Sequence, residues 1–220
     1  MSEMSWAVLQ RVALDDAHPA WFGEMDAELV DQARRSTWGR RLLARSLARH
    51  AAPVLFGSLP AVVPQALSSN RWMLLPGDQL GALALDLGAF AYAAAVRTRV
   101  ERMDVLRLRR VLGRQRYAQT LASVEAGTVS TLKMESALDT ALASDGQLAD
   151  VLYQRGLSEW IGFVAPMHPA AIERLRLCAA PGEVAAASDP WLAASRIATH
   201  LALAPDIHRE AANDGMRGDH

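Results

Sequence analysis

Cationic side chains are the most conspicuous chemistry in this sequence. RLRRVLGRQRYAQTL, Arg107 to Leu121, carries five arginines in its first ten residues and then turns apolar. Guanidinium forks bind carboxylates, phosphates and guanine edges. The stretch could therefore face an acidic protein, an anionic membrane surface or nucleic acid. Asp86, set in an apolar run, could act as a catalytic carboxylate, but an aspartate paired to an arginine is the simpler expectation. The six histidines (18, 50, 168, 200, 208 and 220) are scattered, with none at i, i+4 from another. His200 and His208 are separated by Pro205, which breaks the shared helical face that a metal would need. No nucleophile elbow, P-loop or dinucleotide fingerprint occurs. The residues therefore point away from an enzyme, a metal or a cofactor.

Composition sets limits on the arginines. The formal net charge is −1, so attraction to DNA or anionic lipid would have to be local. Lys133 is the only lysine, the other basic side chains being arginine. Hydrophobic residues make up 51%, enough for a substantial core, and the abundance of Ala and Leu favours helix. Cys178 is the only cysteine, which fits a reducing cytosol. MSEMSWAVLQRVALDD does not read as a signal peptide. Leu80–Val96 is apolar but short and contains Asp86, so it reads as a buried helix of a soluble protein.

These residues must be positioned by helices. HPAWF (His18–Phe22) reads as a turn or extended segment. A helical stretch from about Glu24 to Ala51 follows, interrupted near Trp38-Gly39, with an apolar stripe (Leu42, Leu43, Leu47, Ala48) and a basic one (Arg40, Arg41, Arg45, Arg49). Prolines 53, 60 and 64 predict a loop over 52–77 that packs through Val54, Leu55, Phe56 and Val62. Asp78 is placed as the N-cap of a helix running to about Met103. Helices are expected over Asp104–Leu112 and Arg114–Glu125, divided by Gly113. Others are expected over Ser130–Ala143, after a Gly127 break, and over Gly146–Ala165. In the last of these, Leu148, Val151, Leu152, Trp160, Ile161 and Val164 share one face. Pro166–Pro169 reads as a turn, with a short helix or extended segment to Pro181. Asp189 and Pro190 are read as N-cap and N1 of a final helix. The expectation is an all-α, single irregular multi-helix domain over 1–204, comprising an N-terminal helical part (1–51), the loop (52–77) and the main helical body (78–204), with a flexible tail over 205–220.

The segment 104–125 has a helix-turn-helix outline, so a DNA-binding protein is the alternative function. Against it, Val105, Leu106, Leu108, Val111, Leu112, Tyr117, Ala118 and Leu121 supply the apolar positions of a packed helix pair. Leu108, Leu112, Tyr117 and Leu121 are thus expected to be packed, and Arg107, Arg110, Arg114 and Arg116 mostly exposed.

QLGALALDLGAFAYAAAVRTRVERMDVLRLRRVLGRQRYAQTL resembles the central region of the K component of type III secretion systems, the SctK/YscK family. The similarity rests on Leu87-Gly88, Arg97 and Arg99, Leu106 to Arg110, Gly113 and Tyr117. RGLSEWIGFVAPMHPAAIERLRLCAAP is a second similar segment, through Gly156, Leu157, Trp160, Pro166, Arg174, Leu175, Leu177 and Pro181. DPWLAASRIATHL resembles the family's terminal helix through Pro190, Trp191 and Leu192, and HPAWF resembles its N-terminal proline-aromatic segment. The similarity spans most of Gln79–Leu203. It does not extend to the Arg-rich Asp31–Arg49, and Cys178 stands where the family tends to be more basic.

The resemblance implies a non-enzymatic cytosolic adaptor of the injectisome sorting platform, acting in protein transport and virulence. Its implied partners are the cytoplasmic domain of the inner-membrane ring protein (SctD-like) and the C-ring/pod protein (SctQ-like), and through the pod the stator and ATPase. Neither nucleic acid nor membrane insertion is implied, and the location would be peripheral, at the cytosolic face of the inner membrane. Arg97, Arg99, Arg107, Arg110, Arg114 and Arg116 are the candidate partner-binding residues.

Overall fold

Helix capping and a few buried polar clamps determine where the elements begin and what they hold. The computed structural model describes residues 4–57, 60–123 and 131–203, the last span with side chains from Lys133 onward. Among these residues every regular element is helical, as the Ala- and Leu-rich composition predicts. The helix end at Glu125, the Gly127 break, the Ser130 start, His208, His220 and the tail beyond Pro205 lie outside the described residues. The described residues gather in two compact units. One draws on Met1–Leu80, Val164–Ala185 and Ala202–His220, the other on Gly81–Phe163 and Ala186–Leu201.

In the first unit, α1 (Trp6–Asp16) starts at Ser5, whose side chain accepts from the Val8 amide. HPAWF is a 3-10 turn over Pro19–Phe22. The Trp21 indole N–H donates to the Ala179 carbonyl at 2.8 Å. Next come α2 (Ala27–Arg34) and α3 (Thr37–His50). The break between them falls at Arg35-Ser36 and not at Trp38-Gly39. Ser36 caps α3 by accepting from the Gly39 amide at 2.9 Å. Gly39 stays helical, and its missing Cβ leaves room for the Ala33 backbone.

The segment expected to be a loop over 52–77 contains α4 (Pro53–Phe56), α5 (Gln65–Ser68) and a 3-10 turn over Arg71–Leu74. Proline at the first helical position is harmless, which is how Pro53 opens α4. Leu55 is buried there as expected, but Val62 is exposed and Val63 takes the inward position.

The stretch before Pro181, expected as a short helix or an extended segment, is a helix over Pro169–Arg176. In it, Glu173 accepts from the Val54 and Leu55 amides at 3.1 and 2.7 Å, giving the α4 N-terminus the acceptor that its own sequence lacks. Burial pushes the Glu173 carboxyl above its ordinary value, against the pull of those two amides. The adjacent Arg174 is fully buried. It donates to Asp16 at 2.5 Å, to the Met73 and Leu75 carbonyls at 3.3 and 2.8 Å, and to the Cys178 sulfur at 3.1 Å. A buried guanidinium persists only when its donors are met, and here they are.

The second unit takes most of α6 (Gly77–Ala91), then α7 (Ala93–Thr98), α8 (Arg102–Ala122), α9 (Thr131–Ala141) and α10 (Asp145–Val164). α11 (Pro169–Arg176) is the helix that carries Glu173 and Arg174 in the first unit, and α12 spans 194–203. Asp78 lies within the first turn of α6 and is not its N-cap, although its charge still suits the positive end of the helix. Gly113 interrupts α8 as expected, with φ +75° and ψ 164°, a conformation essentially reserved for glycine.

Leu108, Leu112, Tyr117, Leu138, Leu148 and Leu152 form the core of this unit with Ala89, Tyr92 and Val96. α10 buries Leu148, Leu152, Trp160, Ile161 and Val164, as its periodicity predicts. Two glycines bring helices into backbone contact: Gly88 on α6 lies against the Leu152 backbone, and Gly156 on α10 against Ala84 and Gly88.

The final helix begins later than expected. Asp189 and Pro190 precede a non-helical stretch, and α12 starts after Ala193. The reason is a distant competitor. The Asp189 carbonyl, which as an N-cap would accept the first helical amide, accepts from Arg155 at 2.7 Å, while the buried Glu159 carboxylate accepts from the Trp191 and Leu192 amides at 2.8 and 3.2 Å.

Candidate interaction surfaces

Five of the six arginines singled out from the sequence hold helices of the second unit together. Arg97 donates to the Leu121 carbonyl at 2.9 and 2.7 Å and to the Ser123 carbonyl, closing the end of α8. Arg99 pairs with Asp139 and reaches the Glu135 carbonyl, joining the end of α7 to α9. Arg107 and Arg110 share Asp145 at 3.1 and 2.8 Å, and Arg107 also caps the Leu142 carbonyl. The Arg110 hydrogen bond holds the Asp145 carboxyl below its ordinary value. Partial desolvation opposes this, and the charges of Arg110 and Arg107 add to it. Arg116 pairs with the buried Asp86, whose second oxygen meets His200 Nε2 at 3.2 Å. Asp86 is therefore a helix-packing carboxylate paired to arginine.

The expectation that Arg107 and Arg116 are mostly exposed is corrected: each side chain is only 29% exposed, because each has a carboxylate within reach. Arg110 is exposed despite its pair, and Arg114 is exposed with no ion pair among the described residues. Arg109 stacks over the Tyr117 ring at 5.4 Å.

The apolar side of the same segment also divides differently from the expectation. Leu108, Leu112 and Tyr117 are buried, but Leu106, Ala118 and Leu121 are exposed. The left-handed backbone at Gly113 resets the helical phase, so Tyr117 and Thr120 turn inward and Leu121 outward. Leu106, two positions before Leu108, projects from nearly the opposite side of α8. It shares a face of α8 with Met103, which is 67% exposed, and with Arg110, while Val100, 88% exposed, lies just before the helix. Exposed apolar residues edged by arginine can take a protein partner by burial at the centre and charge at the rim. The sequence signal for this stripe was present in the spacing of Met103, Leu106 and Arg110, but the leucines of the core masked it.

A second exposed face lies on α3. Leu42 belongs with Arg41, Arg45 and Arg49 and not with the buried Leu43 and Leu47, while Arg40 turns away to Asp15 at 2.8 Å and to the Arg34 carbonyl at 2.6 Å.

Among the described residues, no group of three or more His, Cys, Asp or Glu side chains gathers as metal ligands would, and no helix is long and apolar enough to cross a membrane. No protein-family model, curated protein or solved structure matches this chain.

Proposed function

We propose that this chain is a non-enzymatic adaptor of a type III secretion sorting platform. It would link the cytoplasmic domain of the inner-membrane ring protein to the C-ring/pod protein, and through the pod to the stator and ATPase. Its place would be the cytosolic face of the inner membrane. The observation that carries this reading is the exposed Met103 and Leu106 pair on α8 beside Arg110, within the segment that resembles the family. An adaptor needs such a surface, because apolar area left in water is stabilised only when a partner covers it. Support also comes from the framework of the second unit. Gly88, Gly156, Trp160 and Trp191, which carry the resemblance, are residues at which its helices and final segment are fixed.

The helix-turn-helix alternative draws less support. A DNA reader joins its helices by a turn of about three or four residues, whereas α8 is interrupted at Gly113 alone. Asp145 and Asp86 offset two of the three positive charges of Arg107, Arg110 and Arg116, which weakens their attraction to phosphate.

Deleting the gene in a strain with an active injectisome tests the proposal. Secretion and assembly of the cytosolic pods should both be lost, and a plasmid copy should restore both. Normal pod assembly without the chain would refute it.

A further inference from the structure

α3 displays a continuous outward face made of Trp38, Arg41, Leu42, Arg45 and Arg49, spaced as i, i+3, i+4, i+7 and i+11. Trp38 is 77% exposed and Leu42 59%, whereas Leu43 and Leu47 on the opposite side are fully buried. The face is therefore not helix core awaiting a better fit. The inward side is already packed. Arg41 lies over the Trp38 ring at 5.5 Å, and among the described residues no carboxylate pairs with Arg41, Arg45 or Arg49. This contrasts with Arg34 and Arg40 nearby, which are engaged by Asp31 and Asp15. Tryptophan and arginine are the side chains that most often dominate binding energy at protein interfaces.

We propose that this face docks an acidic amphipathic helix of a partner protein. Apolar side chains of that helix would pack on Trp38 and Leu42, and flanking Asp or Glu would meet Arg41, Arg45 and Arg49. Charge complementarity fixes the sign of the partner: three guanidinium groups without a counter-ion among the described residues border the apolar pair. Geometry fixes its form, since two large apolar residues one turn apart match the i, i+3, i+4 anchors of a helix. A membrane surface fits less well, because Trp38 and Leu42 are interleaved with arginines and do not form a broad apolar face. Single-stranded nucleic acid fits less well because Arg41 already occupies a face of Trp38 that a base would need. The proposal concerns the first unit alone and stands independently of the secretion reading, whose test is a different one.

The full chain is titrated by calorimetry with two synthetic helical peptides of about 18 residues, long enough to form helix on binding. Both carry Leu at i, i+3, i+4 and i+7; one is flanked by Glu, the other by Lys. Phosphatidylserine vesicles and an oligouridine serve as the competing occupants. The Glu peptide should bind, and more weakly as salt rises from about 0.05 to about 0.3 M. Trp38→Ala and Leu42→Ala should each weaken it, the former by about tenfold or more. The double reversal R41E/R45E should reject the Glu peptide and accept the Lys peptide. Circular dichroism should be unchanged throughout, as these side chains are exposed. Absence of peptide binding, equal binding of both peptides, insensitivity to Trp38→Ala and Leu42→Ala, or tighter binding of vesicles or oligouridine would each overturn the proposal.

Discussion

Gly88 and Gly156 meet where α6 and α10 come together: a Cβ on Gly156 would stand 2.5 Å from the Gly88 amide nitrogen. Two segments far apart in sequence are thereby locked backbone to backbone. The contact excludes any larger side chain at either position.

Gly156→Ala should accordingly destabilise the protein by about 1–3 kcal/mol, the usual cost of forcing one methyl group into a filled contact. Thermal melting with an unchanged helical spectrum at low temperature is the readout. A wild-type melting temperature would mean that the two helices can separate freely at this point.

Gly113→Ala tests the break in α8 by a different route, since nothing lies near its missing Cβ and only the backbone matters. The conformation there should make the substitution cost about 1–3 kcal/mol. An alanine that stabilises the chain would indicate that α8 runs continuously.

Leu108→Ala should cost about 2–5 kcal/mol because the side chain is fully buried. Leu106→Ala, two positions earlier, should lie within about 0.5 kcal/mol of wild type. Chemical denaturation of the pair checks the inside and outside of α8 in one experiment. Equal losses would contradict the assignment.

Glu159→Ala would leave the Trp191 and Leu192 amides without their acceptor and Arg155 without its carboxylate, with the Asp189 carbonyl at 2.7 Å remaining to it. Breaking a buried pair in this way costs about 3–5 kcal/mol. Amide exchange at Trp191 and Leu192 should accelerate, and the Trp191 ring should lose its stack beneath Arg155, whose guanidinium sits 3.7 Å from the ring centroid. Unaltered exchange there would show that the segment is held by other means.

Asp145 gives the pH dependence a definite sign. Its folded carboxyl titrates below the ordinary aspartate value, so the Arg110–Asp145 interaction stabilises the fold above that value of about 3.9. The contribution is lost as pH falls through the lowered folded value. Carboxyl NMR should show the depressed titration, and Arg110→Ala should move it back upward. An Asp145 titration unmoved by Arg110→Ala would remove Arg110 as its cause.

The helical class, the break at Gly113, the Pro166–Pro169 turn and the buried face of α10 were all legible in the sequence, because local patterns decide them. The pairing of Asp86 with an arginine was legible in kind, although only the fold identifies Arg116. Long-range competition accounts for what local reading misplaced. Arg155 takes the Asp189 carbonyl that a cap would have offered the helix, and Asp145 and Asp86 draw in Arg107 and Arg116. Gly39 looked like a helix breaker but serves as a close-approach residue for Ala33. Leu106 and Leu121 could not be separated from Leu108 and Leu112 by composition, since their orientation depends on the helical phase either side of Gly113.

Under the proposed function, one chain bridges two components. Light scattering coupled to size-exclusion chromatography of this chain, the pod protein and the ring protein's cytoplasmic domain tests it directly. A ternary species should form only when this chain is present, and a Met103→Glu/Leu106→Glu variant that remains folded should lose one of the two partners. Failure of the folded wild-type chain to join either partner would refute the bridging role.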